Sequence, residues 1–504
     1  MGKGLKTVVI LLSLTLILRG SAADMIPTSS WIYESVEVLQ AAGYFQNLDK
    51  GNRPWSRFEI SSILIDIDVN DLSANSLKIE LGRLLYEFKS EIEVISSSGE
   101  KDNFRFYVGL SDNYLTNARN YISIRLSGSL NLNRNLSLKY GAYVDQHFMD
   151  DPYYDGYEWR GFQGYQEQMY INWNSSNIDL KFGRDYIKWG YGHTGNLLIS
   201  DNSRPFDQFS LKVRSRYISF QTFVAQLDKM YNANRYLNAA RFEIKPVANL
   251  SVGLGQSSLY GGENQSLDFT MSNPLAFYSF TQDNDRKSMN MMLYADFAWY
   301  FRNKYKLYSE FLVDDFQIDH KVKSDLEPNE LAFLFGIQAV DLFFDTHGWL
   351  EFVQVRNRTY NVPDARPFEK FLHKNMPIAH PLGTDFQLFQ IHLDRWMNSH
   401  FRLDLDYSSL RQGEGTIRGE FTEPWMADEV TMETGYKEKI PYGIIETTNK
   451  IYASLHYEYN VHLQSDLSIG YETIDNLEHL EGNKSDNLFL NLNLYLAFDC
   501  LKIF

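Results

Sequence analysis

The chain has 504 residues, of which 44% are hydrophobic, 22% charged and 15% aromatic, and its formal net charge is −16. The aromatic content excludes a disordered chain, and the acidic balance argues against a nucleic-acid partner, since phosphates need a basic surface. The single cysteine, Cys500, excludes both a disulfide scaffold and a zinc site built from cysteines.

The N-terminus has the three parts of a secretory signal. Lys3 and Lys6 precede an apolar run over residues 7–18, and the small residues of the segment 21–23 come next. A transmembrane anchor is the alternative, but the run is shorter than the roughly 20 residues that span a bilayer. We therefore predict that residues 1–23 are a cleaved signal peptide, with cleavage near Ala23.

Residues 24–100 are predicted to form a small helical unit. Apolar residues at three- to four-residue spacing indicate a first helix that ends at Gly43. Pro54 is interpreted as the first residue of a second helix, and a third, rich in Lys and Glu, covers residues 77–88. A unit of this size has little core of its own, so we expect it to pack against the remainder of the chain.

From Phe104 onward, apolar residues recur at every second position. The last such segment, residues 487–498, has leucines at alternating positions, with Asn491 and Asn493 among the residues between them. Strands of this kind have one apolar and one polar face. A soluble sandwich would turn the apolar faces inward, whereas a membrane barrel turns them outward to lipid.

The lengths of the connections favour the barrel. Segments of this kind number about 18, and a tight turn comes after every even-numbered one, whereas longer connections, up to residues 411–448, come after the odd-numbered ones. Short periplasmic turns and long external loops are typical of outer-membrane barrels. We predict an all-β transmembrane fold over residues 101–504, an antiparallel outer-membrane β-barrel with the helical unit as a periplasmic part or plug.

Several segments resemble the Wzi-like capsule assembly family. They are residues 182–207, which include Trp189-Gly190-Tyr191-Gly192, the His380–Gly383 segment, and the opening segment 31–59. The resemblance covers essentially the whole chain after the signal. It implies an outer-membrane barrel with a small periplasmic helical part, acting as a surface lectin that holds capsular polysaccharide. The opening segment is also similar to an S-layer-homology repeat, which would imply contact with the cell wall.

An aromatic outer loop is the first candidate site for a glycan. Sugar rings stack on aromatic faces, while their hydroxyl groups bond to planar polar side chains. The loop 150–160 supplies both kinds, and the candidate contacts there are Tyr153, Tyr154, Tyr157, Trp159 and Arg160. An aromatic belt at the membrane interface is the alternative, although belts lie at strand ends rather than in the middle of a loop.

The second set of candidates is Arg184, Trp189 and Tyr191, at the end of the fifth strand and in its outer loop. One interpretation is a rigid loop that presents Arg184 and Trp189 to a glycan. The other, which we favour slightly, is a loop folded into the lumen that fixes the shape of the barrel. The segment 204–207 is expected to cap the entry of the next strand.

Charged residues on the predicted lumen faces are expected to form paired ladders that line or block the interior. Examples are Arg241, Glu243 and Lys245 on one strand, and Arg402, Asp404 and Asp406 on another, and opposite charges on neighbouring strands would stabilise such ladders modestly. The loop 411–448 is acidic and would repel an anionic capsule. Either the glycan is neutral, or divalent cations bridge it, or this loop is not the docking face. Asp150, Asp151 and Asp155 could contribute to such a cation site, but a solvated loop is the simpler interpretation.

Motifs typical of enzymes are missing from the sequence: it has no nucleophile elbow, no zinc-binding H-E-x-x-H and no P-loop lysine. We therefore expect a non-enzymatic protein without cofactor or metal. Its expected partners are surface polysaccharide, outer-membrane lipid and the polysaccharide export machinery. The expected function is to bind capsular polysaccharide and assist its assembly, and the alternative is a general or carbohydrate-selective porin.

Overall fold

The computed structural model describes residues 24–502, apart from residues 73, 98–102, 116–120, 134, 155, 176, 318–320 and 461–462. The predicted signal peptide, residues 1–23, lies outside the described residues. So does Asp155, one of the three aspartates considered for a cation site.

Eighteen antiparallel strands close into a barrel in the described part of the chain, and the first strand pairs with the last. The strands are β1 Asn103–Leu115, β2 Tyr121–Asn131, β3 Leu136–Asp145, β4 Phe162–Asn174, β5 Ile178–Asp185, β6 Phe206–Arg214, β7 Ile218–Gln226, β8 Asn234–Val247, β9 Leu250–Gly262, β10 Asn290–Phe301, β11 Tyr305–Asp315, β12 Glu330–Ala339, β13 His347–Val355, β14 Phe386–Trp396, β15 Phe401–Gln412, β16 Glu446–Asn460, β17 Leu463–Asp475 and β18 Lys484–Lys502. The predicted fold class and strand number are confirmed.

The two faces of each strand differ as the sequence predicts. In β5, Ile178, Leu180 and Phe182 are exposed on the outside, whereas Asp179 and Lys181 between them are buried inside. The outer face of the barrel is therefore an apolar band suited to lipid, and the lumen receives the polar side chains.

Connections alternate in length around the barrel. Short turns at one end come after the even-numbered strands, as at residues 175–177, 215–217 and 302–304, and the longest loops, 356–385 and 413–445, lie at the other end. We call the short-turn end the periplasmic end and the long-loop end the outer end. The predicted parity of the connections is confirmed.

In the described part of the chain, four helices precede the barrel, and a fifth lies in a long outer loop. They are α1 Ile32–Ala41, α2 Arg57–Leu64, α3 Asn75–Glu87, α4 Lys89–Ser97 and α5 Tyr278–Asp285. No helix among the described residues is both long and apolar enough to cross a membrane. The residue boundary of the helical unit, at residue 100, stays a prediction.

The start of α2 corrects the prediction made from Pro54. The helix begins at Arg57, because Ser56 is its N-cap and forms a capping box with Glu59. The first helix ends as predicted, since Gly43 has a φ of +99° and packs against the side chain of Asn303, where a Cβ atom would come within 2.8 Å.

The helical unit, which we call the plug, fills the periplasmic mouth of the barrel. It has a small apolar core that includes Trp55, Leu39 and Leu81. Around this core, polar side chains of the plug pair with inward-facing side chains of the strands. Asp49 lies 3.1 Å from Lys212 Nζ, Arg214 lies 3.3 Å from Glu59, Arg83 lies 2.7 Å from Glu458, and the indole of Trp396 donates to Glu80 at 2.6 Å.

Arg241 connects the plug to the centre of the lumen. Its guanidinium is fully buried and makes a two-pronged contact with Asp296, at 2.7 and 2.8 Å. It also donates to Glu243 at 3.0 Å and to the Asn52 side chain of the plug at 2.8 Å. The predicted pairing of charges on the lumen faces is confirmed for Arg241, and also for Arg402 with Asp404, whose nearest atoms are 2.9 Å apart.

Replacing Arg241 with methionine is expected to lower the free energy of unfolding by about 3–5 kcal/mol, because Asp296 and Glu243 would stay buried without their cation. Urea titration of the protein in detergent or lipid vesicles measures this change. Arg216→Met, at an exposed position in a periplasmic turn, is the matched control and should be near neutral. Equal effects of the two substitutions would contradict the network.

Asp49 makes the stability of the packed plug depend on pH. Burial by itself would raise the pKa of Asp49, but Lys212, Lys245 and Arg241 hold it at about 2, below the usual 3.8. The stabilisation from this carboxylate is therefore complete above pH 4 and is lost as the pH falls from about 4 toward 2. Stability measured between these pH values should fall less steeply in Asp49→Asn than in the native protein, and identical slopes would refute the assignment.

Candidate functional site

A short hairpin at the outer end carries the most exposed aromatic side chains of the first candidate set. Glu158 and Trp159 pair with the first residues of β4. The turn residues Arg160 and Gly161 have φ values of +52° and +78°, as a tight two-residue hairpin turn requires. Tyr157 is 99% exposed and Trp159 70%, and the Arg160 guanidinium lies 5.3 Å from the centre of the Trp159 ring.

The other aromatic residues of this loop pack on one another. The ring of Tyr154 stacks on Phe148 at 4.7 Å, and its hydroxyl donates to the Gly164 carbonyl at 2.9 Å. The guanidinium of Arg418 lies over the ring of Tyr153, 4.5 Å from the centre of that ring. These contacts hold the loop in one conformation while the hairpin tip stays in solvent.

Two of the aspartates considered for a cation site are already engaged by the protein. Asp150 accepts a hydrogen bond from the Tyr121 hydroxyl, and Asp151 pairs with Arg204. The Arg204 guanidinium also lies 5.1 Å from the centre of the Phe148 ring. Both carboxylates are thus used to fold the loop.

An open cleft of about 380 Å³ lies beside this loop at the outer end. On one wall of the cleft, Arg184 and Asp207 are opposite each other on the neighbouring strands β5 and β6, and Arg184 donates to Asp207 through two parallel hydrogen bonds of 2.8 and 2.6 Å. The ring of Tyr165 lines the same cleft. The Asp207 side chain stays more than half exposed, so the ion pair presents polar atoms to the cleft while its geometry is fixed.

Asp228 organises the opposite wall of the cleft. Its carboxylate accepts from the Lys374 backbone N–H at 2.8 Å, lies 3.1 Å from His373 Nδ1 and pairs with Arg235 at 3.2 Å. Burial opposes ionisation of Asp228, but the hydrogen bond with His373 and the charge of Arg235 hold its pKa below its usual range. The cleft thus has an aromatic ring, fixed carboxylates and basic groups within one space.

The loop that carries Trp189 and Tyr191 folds into the lumen. Trp189 is 0% exposed, its indole N–H donates to Gln221 at 2.9 Å, and its backbone pairs with Asn52 of the plug. Tyr191 is buried too, and its backbone N–H donates to Glu310 at 2.8 Å. Of the two interpretations offered by the sequence, this geometry matches the lumen-filling loop.

Two strand carboxylates that the sequence analysis did not single out hold this loop in place. Glu310 accepts four hydrogen bonds from it, from the backbone N–H groups of residues 191, 192 and 197 and from the Asn196 side chain. Glu351 accepts from the backbone of residues 193 and 194 at 2.9 and 3.0 Å. Gly190 is required next to Glu310, because a Cβ atom there would come within 2.2 Å of the carboxylate.

The acidic outer loop is partly neutralised by the neighbouring outer loop 356–385. Glu438 pairs with Arg358 at 2.6 Å, and Glu414 accepts from the Ile444 backbone at 3.0 Å. At the root of this loop, burial raises the pKa of Asp385 to about 6, even though its carboxylate accepts two backbone hydrogen bonds, from residues 415 and 442. These acidic groups hold the loop together, so its formal charge overstates its repulsion of an anion.

The family model for the capsule assembly protein Wzi matches residues 98–488. No curated protein matches the sequence. Among solved structures the chain is similar to Wzi of Escherichia coli, described as an outer-membrane protein involved in group 1 capsule assembly and a carbohydrate-binding β-barrel. The identity is 15% and the TM-score 0.63, over 94% of this chain and 100% of that chain.

Two Pseudomonas aeruginosa barrels are also similar in structure. OccD3 (OpdP) has 13% identity and a TM-score of 0.44, over 80% of this chain and 91% of its own. OccK8 (OprE) has 7% identity and a TM-score of 0.45, over 80% of this chain and 98% of its own.

The different environments of Trp159 and Trp189 predict different quenching by acrylamide. Trp159→Phe should lower the quenchable fraction of the tryptophan fluorescence, because this ring is exposed, whereas Trp189→Phe should lower the protected fraction. Stern–Volmer titration of the folded protein in detergent separates the two fractions. A loss of quenchable fluorescence in Trp189→Phe would place this ring in solvent and contradict the lumen packing.

Proposed function

The chain belongs to the capsule assembly protein Wzi family, and we propose that it binds surface polysaccharide at the outer end of an outer-membrane barrel. This binding would assist capsule assembly. The proposed site is the cleft between Arg184–Asp207 and Asp228, together with the aromatic hairpin beside it. The role is non-enzymatic, and the expected partners are the polysaccharide, the surrounding lipid and the export machinery.

Two features together support the proposal. The outer end has an open cleft lined by aromatic and polar side chains, and the lumen below it is filled by the plug and by the loop that carries Trp189. Sugar recognition requires an aromatic face and planar polar groups with fixed geometry. Tyr165 supplies a face within the cleft, and the Arg184–Asp207 pair supplies the planar groups. Trp159 and Tyr157 add exposed faces on the hairpin.

The candidate residues divide into two roles under this proposal. Tyr153, Tyr154, Tyr157, Trp159, Arg160 and Arg184 are assigned to the glycan-binding surface or to the packing directly beneath it. Trp189 and Tyr191 are assigned to positioning, since the loop they anchor in the lumen leads directly to Pro205 and Asp207 of the cleft.

The filled lumen supports glycan binding over the porin alternative. Lumen-facing groups that would line a water channel in a porin, such as Arg241, Glu243 and Asp296, are buried against the plug and against each other. A barrel of this size leaves an aqueous channel only if loops or a plug do not fill it.

Binding of the full mature protein to immobilised surface polysaccharide, purified from the source cell, tests the proposal. The native protein should bind saturably, and Trp159→Ala and Asp207→Asn should each weaken the affinity by roughly five- to tenfold, because they remove a stacking face and a charged hydrogen-bond acceptor. Phe343→Ala is the matched control: this ring is as exposed as Trp159 but lies in a periplasmic turn, so its removal should leave binding unchanged.

Two results would contradict the proposal, and a third would favour the porin. Folded native protein that shows no saturable binding, with and without divalent cations, would exclude direct glycan capture. Equal affinity in all three variants would exclude this surface. Stable conductance of the native protein in planar bilayers, of the size that open porins give, would favour the porin instead.

A further inference from the structure

A second polar cavity, of about 290 Å³, lies inside the barrel at the periplasmic end, remote from the outer cleft. It separates the plug from the wall of the barrel. Helix α1 contributes Glu34 and Glu37, while β14 and β15 contribute His392, Asp394 and Arg402. The proposed glycan function uses none of these groups.

Three of these side chains meet as metal ligands would. Glu34, His392 and Asp394 each offer one ligand atom, and these atoms all lie within 4.8 Å of one another. His392 and Asp394 are two positions apart on one strand, so both point into the lumen. Their closest ligand atoms, Nε2 and Oδ1, are 3.8 Å apart, too far for a hydrogen bond and suited to a shared ion.

The imidazole of His392 is oriented as a metal ligand. Its Nδ1 lies 2.9 Å from Asp406, its partner on the neighbouring strand, which leaves Nε2 directed toward Asp394. The ring also stacks on Trp349 at 5.4 Å, which restricts its rotation. A carboxylate behind a histidine fixes the tautomer and raises ligand basicity, and it commonly accompanies histidine ligands.

Buried polar groups around the cavity lack partners that an ion and its water would supply. Asp394 is 5% exposed, and within the described part of the chain its carboxylate accepts no hydrogen bond. Gln338 is 4% exposed and lines the same cavity, and its Oε1 has no hydrogen-bond partner among the described residues. Buried polar atoms of this kind are rare unless a water or ion satisfies them.

The charge of the cavity also favours a divalent cation. Arg402 is its main basic group, and it is committed to Glu34 Oε1 at 2.7 Å and to Asp404 at 2.9 Å. This leaves the second carboxylate oxygen of Glu34, and both oxygens of Asp394, available for a metal. A cation held there would offset the charge of the buried Asp394 and of Glu34, whose side chain is 45% exposed.

We propose that Glu34, His392 and Asp394 form a binding site for a divalent transition metal of the zinc class, which ties the plug to the barrel wall. One imidazole with two carboxylates is a ligand set that Zn²⁺ accepts, whereas Ca²⁺ and Mg²⁺ prefer oxygen alone. Water in the cavity completes the coordination and reaches Gln338. Because one ligand comes from α1 and two from β14, the metal stabilises only the state in which the plug is inserted.

Metal binding by the untagged mature protein in detergent, stripped with a chelator, tests the site. Zn²⁺ should bind at one ion per chain, and Co²⁺ should give the visible absorption bands of a histidine-ligated site. His392→Gln should weaken affinity at least tenfold, and Asp406→Asn by about 10- to 100-fold although it does not touch the metal. His456→Gln is the matched control, since His456 is also paired with a lumen carboxylate, Asp466, but lies outside the cluster.

A second experiment tests whether the metal ties the plug to the barrel wall. Zn²⁺ should slow limited proteolysis of the plug in the native protein and should have no such effect in Glu34→Gln. Heat-modifiable migration on gels reports whether the barrel of each variant is folded. If His392→Gln does not fold, the metal affinity of the nearly isosteric Asp394→Asn is compared with that of the native protein instead. Absence of stoichiometric Zn²⁺ and Co²⁺ binding, or equal affinity in the His392 and His456 variants, would overturn the proposal.

Discussion

The polar lumen is the constraint on which the rest of this structure depends. A barrel that turns its apolar side chains toward lipid must satisfy the polar side chains that it turns inward, because an unpaired charge in the interior is costly. Here two inserted segments satisfy them. The plug brings partners to Lys212 and Arg241, and the loop 186–205 brings its backbone N–H groups to Glu310 and Glu351. The filled lumen is the consequence.

The same packing positions the outer cleft. Loop 186–205 is fixed in the lumen over its first two thirds and then rises to Pro205 and Asp207, where β6 begins. Asp207 lies opposite Arg184 in the pairing of β5 with β6, directly after the loop that is anchored inside the barrel. A cleft whose polar groups are fixed before the ligand arrives loses less conformational entropy on binding. This links the buried network to the proposed recognition at the surface.

The sequence predicted the features that local periodicity determines and failed where contacts are long-range. Strand positions and the parity of the connections could be predicted because side chains alternate along each strand and turns are short at one end only. The start of α2 is a local exception, because Pro54 indicates an earlier start than the one set by the capping box of Ser56 and Glu59. Glu310 and Glu351 look like ordinary lumen positions in the sequence. Their roles, and the meeting of Glu34 with His392, depend on segments far apart in the chain.

The residues that carry the family resemblance are mainly those that pack the interior. Trp189 bonds to a barrel strand, Gly190 admits Glu310, and His380 lies 3.2 Å from the Thr194 hydroxyl. The exposed rings of Tyr157 and Trp159 do not belong to that set of residues. Family membership therefore identifies the scaffold, whereas the proposed glycan-binding surface rests on outer loops of this chain. For this reason the ligand has to be found by binding measurements rather than carried over from a relative.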